Sequence, residues 1–250
     1  MKLFYTPIHS FIHKILVTAH EAGVWDQIEV VPVYPVRHGY SLGAINPLHK
    51  VPCIALDDGT MLYGSQTAVE YLDSISTTGS RLYPPAGPKR WDALRRLALG
   101  DTMFESTVIM ALERSEEPPR ASVYSWYWPK IIRGLAQMEE DAGNGFESFD
   151  IGQASSLHAL TYLDRQTQRG LPPPVPTGYD WRDNHTNLRD WFDEAIQRPS
   201  VTAHLNKDFE GDDSPEYCQS KVAEVLRAQQ KDPGPGPYKP VPVDFVPPEN

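Results

Sequence analysis

The sequence predicts an α+β protein in two parts, a βαβαββα unit over residues 1–76 followed by an all-α region over 89–205. Three observations carry this. Apolar residues first come in short runs broken by turns, as strands do, and from Lys89 onward they recur at helical spacing. Between the two lies 77–88, rich in Gly, Pro, Ser and Thr, the composition of a linker. Within 46–72 a loop, a proline at a strand start, a hairpin turn, a second strand and a helix follow in close succession.

Taken in order, Met1 to Tyr5 is a short apolar strand closed by Thr6-Pro7. Phe11, Ile12, Ile15, Leu16 and Ala19 then recur at helical spacing and stop at Gly23. Ile28 to Tyr34 carries Val30, Val31 and Val33 and reads as the second strand, and polar Arg37 to Leu42 as loop or loose helix before Asn46-Pro47. Pro52 has no N–H for a central ladder, so it belongs where the strand Cys53–Leu56 begins. Asp58-Gly59 is a hairpin turn, and Ser65 opens a helix as its cap.

In the second part, Trp91, Leu94, Leu97 and Ala98 begin an apolar stripe that Phe104, Val108 and Leu112 continue until Pro118-Pro119. Trp126–Met138, Ile151–Leu163 and Leu188–Ile196 add further helices, the last ended by Pro199, for four to five in all. Leu171 to Pro176 is a stiff connection. Residues 206–250 form a polar, proline-rich tail in which Lys221 to Gln230 is the one helical segment.

Composition narrows the function. The 250 residues, 40% of them hydrophobic, suffice for a real core. The net charge of -10, with no run among the 23 basic residues, argues against a nucleic-acid partner. No segment has the length of a membrane span or the pattern of a signal peptide, which points to the cytoplasm. The two cysteines, Cys53 in a buried strand and Cys218 in the polar tail, form neither a disulfide framework nor a CxxC pair, and no metal site is expected.

The run Asn46-Pro-Leu-His-Lys-Val-Pro-Cys-Ile-Ala-Leu56, with Tyr63-Gly64-Ser65-Gln66-Thr67, resembles the glutathione site of the soluble glutathione transferases. The opening, from Lys2 to Lys14, is similar to the bacterial-type, serine-class branch of that family, which reads Ser-Pro-Phe-Val-Arg-Lys there. Asp150-Ile151-Gly152 with Leu157, Leu160 and Tyr162-Leu163-Asp164 resembles the branch's central buried helix, and Asn187 to Phe192 with Arg198-Pro-Ser-Val201 its final helix and stop. The resemblance covers residues 1 to about 204. It implies a thioredoxin-like first domain, a homodimer, and glutathione as co-substrate. Pro52 would be cis and Val51 would pair through its backbone with the cysteinyl part of the tripeptide. Ser65, with Gln66 at the same helix start, would hold the γ-glutamyl carboxylate through hydroxyl, N–H groups and dipole. Lys50 would lie near the glycyl carboxylate.

Three positions depart from the family. His9 stands where the branch carries its serine, and Ser10 where a proline follows. Gly64 stands where an acid usually precedes Ser65, removing a contact to the amino group of glutathione. His49 replaces a small residue.

A thiol with a pKa of about 8.5 must be deprotonated to act as a nucleophile, and donors near a helix start favour the anion. Ser10 is the leading candidate for that task, and its other reading is a helix cap. His9 is its rival, by imidazole donation or charge. Tyr5, at a strand end, could also aim a phenol at sulfur, although a strand aromatic packs more often into core. The lack of a cysteine at positions 9 to 11 argues against thiol exchange. Phe11 and His9 on one side, and Met103, Thr107 and Met110 on the other, are the expected walls of an apolar second-substrate pocket, although a Met stripe also reads as core. The function implied is conjugation of glutathione thiolate to an electrophilic apolar small molecule, as in detoxification. Two alternatives remain: a non-catalytic glutathione-fold binding protein, and a glutathione-dependent etherase, isomerase or dehalogenase.

Overall fold

A computed structural model describes residues 1–6, 12–33, 42–204 and 211–231. Four strands, β1 (Lys2–Tyr5), β2 (Glu29–Pro32), β3 (Cys53–Ala55) and β4 (Met61–Tyr63), form one sheet in the order β2-β1-β3-β4. β1 runs parallel to β2, with Phe4 opposite Val31, and antiparallel to β3, which is hairpinned to β4. The helices are α1 (Ile12–Glu21), α2 (Ser65–Ser74), α3 (Pro88–Glu113), α4 (Ala121–Gly143), α5 (Ile151–Gln168), α6 (Thr186–Ala195), α7 (Pro199–Thr202) and α8 (Pro215–Ala228). This is the α+β, thioredoxin-like layout followed by helices that the sequence predicts. The segment where the second helix of the βαβαββα order would fall, 34–41, lies outside the described residues. No helix among the described residues is long and apolar enough to cross a membrane.

The described chain groups into two compact units. The first holds the sheet, the β3–β4 hairpin, the start of α2 and α8. Its core joins Phe4, Val31, Val33, Cys53 and Ala55 from the strands, Leu42 and Ile45 from the segment before β3, and Cys218, Val222, Val225 and Leu226 from α8. Cys218 is therefore interior rather than part of a polar tail. The helix in this region also starts earlier than its sequence suggests, because Pro215 fits the first helical position and the Ser214 hydroxyl accepts from the Tyr217 N–H at 3.1 Å.

The second unit holds α1 from His13 onward and α3 to α7. α3 and α5 pack through small residues: a Cβ on Gly100 would lie 2.8 Å from the Ser155 backbone, and one on Gly152 would lie 2.7 Å from the Ala93 carbonyl oxygen. Asp150 caps α5, accepting from the N–H groups of Gly152 at 2.9 Å and Gln153 at 3.1 Å, and its other oxygen takes Arg96 at 2.6 Å. Lys14 of α1 is fully buried and ion-paired to Asp101 of α3, which also accepts from the Ser155 hydroxyl at 2.7 Å. Burial pulls the Lys14 pKa down and Asp101 opposes that. α4 runs through Pro129 and begins at Ala121, five positions before the first residue of its apolar stripe. Pro199 opens α7 instead of only ending the helix before it.

Candidate functional site

The candidate site of the first unit is built on the open end of the β3–β4 hairpin. Asn46, buried, shapes the turn that leads to it: its carboxamide donates to the Lys50 carbonyl at 2.6 Å and accepts from the Leu48 N–H at 3.0 Å. The turn carries His49 in the left-handed region, at φ 52°, and packs its imidazole over Gly43, where a Cβ would come within 2.0 Å of Nε2. The Val51–Pro52 peptide is cis. β3 follows at once, and in register one step beyond Cys53 and Tyr63 the Gly64 N–H donates to the Pro52 carbonyl at 3.2 Å.

That bond ties the proline to the start of α2. The Ala68 N–H bonds to the Gly64 carbonyl, so Gly64 is the cap of α2 and Ser65 its first helical residue, a correction to the reading of Ser65 as cap. Gly64 has φ 78°, which the absence of a Cβ permits. Ser65 is buried, and Gln66 and Lys50 are exposed. Lys50, Val51, Pro52, Ser65 and Gln66 are thus brought to one edge of the first unit, beside a helix N-terminus, where backbone N–H groups and the helix dipole favour an anion. Sequence reasoning missed Asn46 and the capping role of Gly64. The Asn-Pro pair and the glycine next to a helix start were the available signals.

The other expected residues fall elsewhere. His9, Ser10 and Phe11 lie outside the described residues. Tyr5 is buried at the end of β1, where its carbonyl accepts from the Val33 N–H. Met103, Thr107 and Met110 are all buried. Met103 fills the space beside Gly134, the Thr107 hydroxyl donates to the Met103 carbonyl at 2.9 Å, and the Met110 carbonyl accepts from the Tyr124 hydroxyl at 3.0 Å. Burial pushes the Cys53 thiol up to about 12 and the Cys218 thiol up to about 11, so neither is a nucleophile at neutral pH. A separate cleft of about 660 Å³ is lined within the second unit by Phe146, Phe149, Trp191 and the polar face of α6, and includes none of the residues above.

A mixed four-stranded sheet with a cis-proline at the start of its third strand, followed by a helical unit, defines a protein of the glutathione transferase architecture. Residues 10–75 match the model of the glutathione S-transferase N-terminal domain. A glutathione transferase family member from Pseudomonas fluorescens Pf-5, solved with bound glutathione, is 31% identical with a TM-score of 0.72 over 81% of this chain and 97% of its own. A second structure from that source, with S-(propanoic acid)-glutathione, is 30% identical with a TM-score of 0.69 over 82% and 98%. A glutathione S-transferase from Methylobacillus flagellatus KT, solved with glutathione, is 26% identical with a TM-score of 0.72 over 81% and 98%. No curated protein matches the sequence. The chain belongs to the glutathione transferase family.

Proposed function

We propose that the chain is a glutathione-dependent transferase that adds the thiolate of glutathione to an electrophilic, mostly apolar small molecule. One observation carries this: the Gly64-to-Pro52 hydrogen bond sets the backbone of Val51 beside the N-terminus of α2. In this reading the Val51 N–H and C=O pair with the cysteinyl part of glutathione. Ser65 and Gln66 at the helix start take the γ-glutamyl carboxylate, and Lys50 takes the glycyl carboxylate. The bound glutathione of the Pseudomonas relative supports the assignment. Ser10 or His9 supplies the donor that favours thiolate over thiol. In this reading Tyr5, Phe11, Met103, Thr107 and Met110 surround the electrophile. Met103 also packs beside Gly134 of α4, which favours a bundle-interior role for that residue.

The reading includes a homodimer acting in the cytoplasm, in detoxification. Exposed Trp91, Ile109 and Leu112 on α3 and Trp126 on α4 support a partner surface, and light scattering at two concentrations tests it.

Calorimetric titration with reduced glutathione, then with its S-methyl form, is the test of the site. Binding of reduced glutathione with an ultraviolet thiolate band is expected. Ser10→Ala or His9→Ala should then lower turnover at least tenfold with little change in melting temperature, and full activity in both variants would refute the thiol-activating role. A second reading, a binding protein without catalysis, is favoured by Gly64, which offers no carboxylate to the glutathione amino group. Binding without a thiolate band would support it.

A further inference from the structure

Helix α8 belongs to the core of the first unit, although the tail around it reads as polar in sequence. This chain extends beyond the length matched by its glutathione-bound relative. Cys218 and Val222 are fully buried, with Val225 and Leu226 nearly so. Polar contacts fasten both ends of the helix. Lys221 bridges Glu29 at 2.7 Å and Glu224 at 2.9 Å, and the Tyr217 hydroxyl donates to Glu29 at 3.2 Å. Beyond the C-terminal end of the helix, the Gln229 carboxamide donates to the Gly59 carbonyl at 2.8 Å.

The apolar face of α8 meets more than the sheet. Leu42 and Ile45 share its cluster, and Ala44 and Val51 pack against it. Those residues flank the Asn46–Lys50 turn, whose bonds set the direction in which Lys50 and Val51 leave it. The Ile45 carbonyl also accepts from the Tyr63 hydroxyl at 3.3 Å, which ties the same segment to β4 one residue before Gly64. The cluster is therefore continuous from α8 to the 42–51 segment on one side of the candidate site.

We infer that α8 is a positioning element of the glutathione site, with Val222 and Leu226 holding the 42–51 segment so that the Val51 backbone and Lys50 meet the tripeptide. The inference rests on the glutathione reading for its ligand. Its structural half, that α8 fixes the 42–51 backbone, stands without it. A helix that only filled core would affect all strands alike. A positioning helix affects the turn first.

The experiment compares the full chain with Val222→Ala and with the conservative Val222→Ile, by glutathione calorimetry and by hydrogen–deuterium exchange. Val222→Ala is expected to weaken glutathione binding at least fivefold and to speed exchange at 45–51 at least tenfold, with β1 amides changed less than twofold. Val222→Ile should restore both. Unchanged affinity in a folded Val222→Ala variant, or exchange that rises equally in β1 and at 45–51, would overturn the inference. If the unaltered chain binds no glutathione, the functional reading fails, while the exchange pattern still decides the role of α8. Should Val222→Ala not fold, Leu226→Val removes less volume and is judged by the same two measurements.

Discussion

Gly59 and Gly64 both occupy the left-handed region, at φ 85° and 78°, yet their surroundings differ. A Cβ on Gly64 would meet nothing within 4 Å, whereas one on Gly59 would lie 2.8 Å from the Gln229 Cγ and 2.9 Å from its backbone nitrogen. Gly64→Ala should therefore cost about 1 kcal/mol, the backbone preference alone, and Gly59→Ala about 3 kcal/mol, with the collision added. Urea midpoints of the two variants measure the difference. A carboxylate restored at position 64 meets the same φ cost, so any gain in glutathione affinity from Gly64→Glu comes with a lower midpoint. At this scale the sequence was legible where a residue's own chemistry decides its place. Pro52 at a strand start and Gly59 in a hairpin are of that kind. It was not legible for Cys218, whose burial depends on a strand face far away in the chain and not on its polar neighbours.

Among the elements, α5 has a buried first turn, and Asp150 serves it twice, as cap and as partner of Arg96. Asp150→Ala should lower stability by about 3 kcal/mol, since it removes the cap and leaves a nearly buried guanidinium with only Asp92, and Asp150→Asn should lower it less because the cap survives. Chemical denaturation of both variants separates the two contributions. The contact of α1 with α5 sets a pH dependence. His13 and His158 meet edge to face at 5.8 Å, and burial, helped by His204 and Arg165, lowers the His13 pKa to about 4; burial likewise lowers that of His158. The unfolded chain takes up these protons near 6.5, so between that pH and about 4 the unfolded state holds more protons and stability falls as pH falls. For His13 the loss should be about 2 kcal/mol, and His13→Gln should lessen the pH dependence in urea titrations from pH 7 to 4.5, with His158 supplying what remains. The order and type of these helices could be read from periodicity, but the inward face of α3 could not. Trp91 and Leu112, on its apolar stripe, are exposed, while Arg96, Asp101, Thr107 and Glu113 are buried. That face is chosen by glycine contacts and paired charges with α5 and α1, which no hydrophobic count detects.

At the scale of the whole molecule, the sheet unit is assembled from stretches far apart in sequence, since Glu29 bonds Tyr217 and Gly59 bonds Gln229. The succession of strands along the chain followed from local signals, and so did a helix near Lys221. Its docking in the sheet unit did not, because its apolar face has only four positions and its partner lies well over a hundred residues earlier. A chain ended at His204 should bare the apolar cluster of Val31, Val33 and Ile45, bind a hydrophobic dye severalfold more strongly than the full chain, and show raised turbidity on warming. During synthesis the same arrangement reverses the usual order of events. The strands leave the ribosome first, yet their core is completed only when Pro215–Ala228 has emerged, after every helix of the other unit. At about 5–20 residues per second the nascent strands wait many seconds for that cover, so the period of greatest exposure to chaperones and to aggregation belongs to the part of the chain made earliest.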